Sequence, residues 1–409
     1  MSLKLQNALE TLYGLERRRD KLGLGGTRTL LAGLGDPHRA FRAVHVAGTN
    51  GKGSVSAMIE RALRESGLRT GLYTSPHLVD FRERIRVDGR WATEHALEDG
   101  LARIQSLPGS DERTFFEVAT ALAFEHFARE KAGWVVAEVG LGGRLDSTNV
   151  LEPEITVMTR IGIDHAEILG TGLAAIAAEK AGIVKPGVPL VTGPQPPEAM
   201  AVLARTCAER GAPLLEARVR ASRRAHPRLL GPHQLENRAV AIAALEALRA
   251  RGAPVDARAV RRGVDLAVWP GRLERCPHVR RLWWDGAHNL DAFEALVAAW
   301  RGLGHRPPAL VLALSRDKDA GAIAIALRGG FGRVPAVATR TRSPRAMEPG
   351  PLAEALREAG FETQAAPGVP AAVRAALALP GGRRVLLAGS LFAVGEAMEA
   401  FGGAPGEWQ

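Results

Sequence analysis

The sequence predicts an α/β protein with parallel sheets in two domains. Three observations carry this expectation. Short apolar runs alternate with helical ones along most of the chain, the pattern of a doubly wound sheet. A glycine-rich turn, GTNGKGS at Gly48 to Ser54, joins a strand-like run to a helix-like one. A break at Trp269-Pro270-Gly271-Arg272 precedes a second cycle of the same alternation, and proline and glycine together give it the chemistry of a hinge.

Taken in order, Phe41 to Ala47 reads as a strand and Val55 to Glu65 as the helix after the turn. Thr70 to Thr74 is a strand, followed by an irregular stretch to Asp88. Phe115 to Lys131 is helical, Trp134 to Val139 a buried strand and Ile155 to Ile161 a further apolar run. Ala174 to Ala181 is a helix, Pro189 to Thr192 a short strand and His233 to Arg251 a long alanine-rich helix. Beyond the hinge, strands are expected at Leu282 to Asp285, Leu310 to Leu314, Val334 to Ala338 and Val385 to Ala388, with a helix at Ala292 to Trp300. The domains are therefore placed at 1–268 and 273–409, joined by 269–272.

With 409 residues, 46% of them hydrophobic and 24% charged, the chain has ample material for two cores. No run reaches the roughly 18 apolar residues of a membrane helix. The N-terminus lacks an apolar signal core, and Cys207 and Cys276 stand far apart, so a cytoplasmic protein without disulfides or a zinc knuckle is expected. The net charge of +10 raises the question of nucleic acid, but the arginines are scattered and aromatics are only 5%. Nucleic-acid and membrane partners are not expected. Lysines are few where arginines abound, so Lys52 and Lys180 mark places where a primary amine is needed.

Backbone N–H groups of a glycine turn at a helix start cradle phosphate oxygens. Lys52 is placed to reach the outer phosphates and Ser54 to offer a hydroxyl to magnesium. The usual loop has glycine where Val46 stands, so this loop is a variant. Glu138 ends a strand, where parallel sheets gather ligands, and GLGGRLDSTN follows it. Asp164 and His165 follow another strand in IGIDH, and the imidazole is a possible metal ligand beside the bland alternative of a structural histidine. Lys180 in EKAGIVK is either salt-bridged to Glu179 or a neutral amine able to take up carbon dioxide as an anionic carbamate. Ser75 lies beside a proline turn in TSPHLVDFRERIRVDG. Thr114 and Glu117 in TFFE read locally as a helix-capping pair.

These motifs, with WPGRLE, DGAHN and GSLFAVGE in the same order, resemble the folylpolyglutamate synthase and dihydrofolate synthase family of the Mur ligase superfamily. The resemblance runs nearly end to end. It implies an N-terminal P-loop ATPase domain, a smaller C-terminal Rossmann-like domain and an active site in the cleft between them. It implies that Gly51, Lys52, Gly53 and Ser54 hold ATP phosphates, that Asn237, Arg272 and Asp285 contact the nucleotide, and that His288 lies beside them as a catalytic candidate. Ser54, Ser75, Glu138 and His165 correspond to positions for two magnesium ions, and Lys180 to a carbamylated lysine. The pterin positions correspond to Thr114, Phe115, Phe116, Glu117, Asp146, Ser147 and Thr148, closed over by Leu22, Gly23 and Leu24. The implied activity is ATP-driven addition of L-glutamate to a folate or dihydropteroate carboxylate, by a monomer acting on small molecules. The arginine-rich segment from Arg218 to Arg228 departs from the family pattern. Two other readings are a cell-wall amino-acid ligase, which would need a further domain before the loop where only Met1 to Ala47 stand, and a P-loop ATPase that makes no bond.

Overall fold

A computed structural model describes residues 2–15, 23–218, 226, 228–403 and 405. Fourteen strands form two sheets among the described residues. They are β1 (Arg42–Ala47), β2 (Thr70–Tyr73), β3 (Ile85–Val87), β4 (Arg90–Trp91), β5 (Trp134–Glu138), β6 (Ile155–Met158), β7 (Leu190–Thr192), β8 (Leu214–Glu216), β9 (Glu274–Arg275), β10 (Leu282–Trp284), β11 (Ala309–Leu312), β12 (Pro335–Ala338), β13 (Glu362–Ala365) and β14 (Val385–Ala388). The first sheet has the order β4-β3-β2-β5-β1-β6-β7-β8 and the second β13-β12-β11-β14-β10-β9.

From β2 through β8 the first sheet is parallel, with β1 between β5 and β6: Val44 pairs with Val136 on one side and Ile155 on the other. Both faces are covered, which is why these strands are continuous apolar runs rather than alternating ones. One face packs on the helices Leu3–Gly14, Gly25–Gly33, Glu94–Gln105 and Phe115–Arg129. On the other lie Lys52–Glu65, Pro232–Ala250 and Ala257–Leu266, with the last so close that a Cβ on Gly263 would strike the Ala62 backbone. The second sheet is parallel except for β9, and it too has a core on each face.

Two expectations are corrected here. The stretch Thr74 to Asp88 is not irregular throughout: a 3-10 turn, Phe81–Arg84, leads into β3, which pairs antiparallel with β2 and β4. Its residues Glu83, Arg84 and Arg86 are all buried, so charged side chains hid an inward-facing strand from a hydrophobic pattern. The helix after the glycine turn starts at Lys52 rather than Val55, because Gly51 in the left-handed region (φ 93°) sets the cap. Lys52, Gly53 and Ser54 therefore occupy the first helical turn, whose N–H groups lack intrahelical acceptors.

The two sheets are tied together through Asp164, which lies in the loop after β6. Its carboxylate accepts from Lys318 Nζ at 2.6 Å and Asn289 Nδ2 at 3.0 Å, and lies 3.2 Å from His288 Nε2. Those three partners belong to the second sheet's half of the chain. Burial pushes this acid up, but His288, His165 and Lys318 outweigh it and hold the carboxyl well below its usual range. Asn50 and Asn289 exchange amide contacts at 3.2 Å beside it. A second bridge is the Leu78 loop: Glu83 accepts from the N–H groups of Leu78, Val79 and Asp80 at 2.8–2.9 Å, and the loop packs so tightly on the helix Leu391–Phe401 that a Cβ on Gly395 would strike Leu78 O.

Removing one partner of a buried ion pair leaves the other charge stranded, at a cost of about 3 kcal/mol. Asp164→Asn is therefore expected to loosen the two halves, raising the radius of gyration in small-angle scattering and lowering the melting temperature. An unchanged scattering profile and melting temperature would remove Asp164 as the tie.

Candidate active site

The cleft between the halves collects groups from strand ends. A cavity there is lined by Gly53, Ser75, Glu138, Trp269 and Arg272, with Arg86 at its wall. Glu138 ends β5, the neighbour of β1, and so faces the glycine turn across the carboxyl edge of the sheet. Its carboxylate is buried, which pushes it up to about 7 against the pull of Lys52 and Arg272. Among the described residues its only hydrogen bond is a long one, 3.4 Å from Ser75 N. Lys52 Nζ donates to Thr49 O at 3.1 Å, which folds the side chain back over the turn.

The turn is shaped by what its glycines allow. A side chain at Gly51 would collide with the Asn237 amide, and one at Gly53 with the Trp269 indole. Asn237, on the helix Pro232–Ala250, is held by a bond from its Nδ2 to Gln234 Oε1 at 2.9 Å, and Gln234 in turn reaches Ser54 Oγ at 3.4 Å. Lys180 is buried and donates to Gly48 O at 3.0 Å. Burial first, and Lys52 second, lower its ammonium to about 7. Arg272 and Asp285 face each other at the break. Asp285 accepts from Leu273 N and Ala287 N at 2.7 Å, burial pushes it up, and Arg272 opposes that shift.

The sequence candidates fall into three groups rather than one. Gly51, Lys52, Gly53, Ser54, Ser75, Glu138, Lys180, Asn237, Arg272 and Asp285 surround the turn and the cleft cavity. His165 instead keeps company with Asp164, Glu167 and Asp317, and its ring and the last two carboxylates offer atoms within 4.8 Å of one another. His288 Nδ1 lies 2.8 Å from Gly286 O, leaving Nε2 toward Asp164. The residues that sequence reasoning gave no site role are Lys318, Asn289 and Asn50 here, and Trp269, named only as part of the hinge, over Gly53. Lys318 carried a signal, being one of seven lysines in the chain, the same scarcity that marked Lys52 and Lys180.

The remaining candidates form a third locality. Thr114 caps the helix Phe115–Arg129, and Glu117 closes the capping box through Thr114 N at 2.7 Å. Phe115 is buried among Tyr13, Phe81 and Phe116, whereas Phe116 is 41% exposed. Asp146 accepts from Gly140 N at 3.0 Å and Leu141 N at 2.9 Å, bonds Thr148, and is pushed up by burial. Thr148 Oγ1 also lies 2.8 Å from buried His45 Nε2. Gly140 brings this loop against Phe116, and Gly26 brings the segment after Gly23 and Leu24 against Glu117. Ser147 is buried beside Asp146, and Leu22 lies outside the described residues.

Two domain profiles match this chain: the Mur ligase middle domain over residues 46–189 and the Mur ligase glutamate ligase domain over 271–391. The dihydrofolate synthase/folylpolyglutamate synthase of Bacillus subtilis is 40% identical over 71% of this chain and 75% of that protein. The enzyme of the same name from Escherichia coli is 36% identical over 77% of each. Among solved structures, Mycobacterium tuberculosis folylpolyglutamate synthase complexed with ADP and AMPPCP superposes with a TM-score of 0.87 at 32% identity, covering 98% of this chain and all (100%) of that one. Escherichia coli FolC in complex with DHPP and ADP gives 0.85 at 31% identity over 97% of each chain. By these matches the chain belongs to the folylpolyglutamate synthase/dihydrofolate synthase family of the Mur ligase superfamily.

Proposed function

We propose that this protein is an ATP-dependent ligase that joins L-glutamate to the carboxylate of a folate or dihydropteroate through an acyl phosphate. The observation that carries the reading is the meeting of the Lys52 turn, Glu138 and Arg272 in one cleft between two halves. The boundaries 1–268, 269–272 and 273–409 describe the two domains and their hinge, and the start of the glutamate ligase profile at residue 271 supports a break there.

A carboxylate is a poor electrophile because its oxygen leaves badly. Its attack on the terminal phosphorus of ATP releases ADP and gives an acyl phosphate. The glutamate amine then attacks the acyl carbon, loses a proton, and phosphate departs. Backbone N–H groups of the first helical turn and the Lys52 ammonium hold the phosphates, and Arg272 adds positive charge from the hinge. Asn237 contacts the nucleotide beside Gly51, and Asp285 orients Arg272. The amine proton leaves with the departing phosphate, and His288, whose two ring nitrogens face Gly286 O and the Asp164 carboxylate, is the catalytic candidate at that edge. Water would hydrolyse the acyl phosphate, so closure about residues 269–272 protects it.

Ser54, Ser75 and Glu138 at the cleft, and His165 apart from them beside Glu167 and Asp317, are the proposed holders of two magnesium ions. Hydroxyl and carboxylate oxygens suit magnesium, and Glu138 has lone pairs that no described donor fills. Bound there, the metal neutralises charge on the transferring phosphoryl group. Lys180 fits carbamylation: it is buried, its amine loses its proton near neutrality, and it points at the turn. Thr114, Phe115, Phe116, Glu117, Asp146, Ser147 and Thr148 frame the pterin site, with Phe116 the exposed ring. The enzyme acts on dihydropteroate and on reduced folates alike, as a cytoplasmic monomer. No helix among the described residues is long and apolar enough to cross a membrane.

Three outcomes test this reading. Purified protein given ATP, magnesium and labelled glutamate is expected to lengthen both dihydropteroate and tetrahydrofolate with equimolar phosphate release; phosphate release with no conjugate would contradict it. Lys52→Ala is expected to lower turnover by about 10²–10³-fold, the scale of losing one transition-state donor, with folate binding retained in equilibrium dialysis. Lys180→Ala is expected to be inactive and partly rescued by short carboxylic acids. Wild-type labelling by ¹³C-bicarbonate should weaken as pH falls below about 7, where the amine takes up its proton. An active enzyme whose Lys180 never carries the label would end the carbamate role.

A further inference from the structure

A second cavity, of about 90 Å³, opens beside the helix Lys52–Glu65 and the segment Leu266 to Val268. On this measure a single water needs about 10–15 Å³, so there is room for a small anion. Four arginines line it, Arg61, Arg64, Arg86 and Arg228, against a single carboxylate, Glu60. That carboxylate is already engaged: it accepts from Arg64 Nε at 3.1 Å and Thr70 Oγ1 at 2.7 Å. Arg61 reaches out to Glu65 at 2.6 Å, yet its Nε is buried and unpartnered. Arg86 is buried, and the one bond its side chain makes among the described residues runs from Nε to Glu83 O at 3.1 Å. Neither Arg86 nor Arg228 has a carboxylate at ion-pair distance among the described residues. The Arg64 guanidinium lies against Gly89, where a side chain would collide with it.

Several forked guanidinium groups around a compact space match a tetrahedral oxyanion, to which each presents paired N–H donors. We propose that this cavity is a phosphate-binding site separate from the phosphate-binding turn. The cavity is too small for a nucleic-acid strand. Arg228 ends the arginine-rich segment that the ligase reading leaves unused. Arg86 lies in the walls of both cavities, 5.3 Å from the Trp269 ring centroid, and Trp269 covers Gly53. Occupancy therefore draws on a side chain shared with the cleft. The inference does not rest on the ligase reading, since binding is measured without turnover.

The test is equilibrium dialysis of the full chain with radiolabelled orthophosphate. Wild type is expected to bind in two classes, one lost in Lys52→Ala and the other weakened at least tenfold in the Arg61→Gln/Arg228→Ser double variant, whose turnover at low phosphate stays at the wild-type level. Arg228→Ser alone, expected to weaken the same class several-fold, serves if the double variant melts early. Saturating ADP separates the sources: if one class persists, the cavity takes free phosphate, and if ADP displaces both, it takes the phosphates of a nucleotide. A single class abolished by Lys52→Ala, or unchanged binding in both cavity variants, would overturn the site.

Discussion

Everything the cleft does depends on a carboxylate from one half of the chain gripping a cation from the other. Asp164 and Lys318 meet at 2.6 Å where both are nearly excluded from water. Neither charge would be stable there alone. The pair is reinforced by Asn289, His288 and the Asn50–Asn289 exchange, so several short polar side chains set the spacing between the two sheets.

The first sheet supplies the other half of the logic. β1, β5 and β6 end side by side, so the glycine turn, Glu138 and the Asp164 loop emerge along one edge without any long-range coincidence. The unpaired N–H groups of the helix beginning at Lys52 face the same edge. Lys52 and Arg272 gather positive charge around one underpartnered carboxylate, and burial weakens the ionised form of both Glu138 and Lys180. An anionic ligand entering with a hard cation meets complementary charge at each point.

Much of this was legible in the residues because parallel strands buried on both faces announce themselves as unbroken apolar runs. Strands β1, β5, β6 and β14 lie where Phe41 to Ala47, Trp134 to Val139, Ile155 to Ile161 and Val385 to Ala388 predict them. The edge strands β4, β8, β9 and β13 were not legible, since their residues are polar or half-exposed and carry no such run. β3 was hidden by buried arginine and glutamate. The site splits the same way: the turn, Glu138 and Lys180 are local motifs, whereas the company of His165 is set by Asp317, which comes from the other half of the chain. No spacing in the chain encodes that approach. The capping box at Thr114 and Glu117 was readable from four residues because its bonds are made within one turn.

The account stands on the idea that the acid is made reactive by taking a phosphoryl group onto its own oxygen. Dihydropteroate carrying ¹⁸O in both carboxylate oxygens, turned over with ATP and glutamate, follows that oxygen directly by the isotope shift in the ³¹P spectrum of released phosphate. One labelled oxygen in each phosphate is the result predicted. Phosphate free of label, formed alongside the glutamate conjugate, would contradict an acyl phosphate and with it the role given to the cleft.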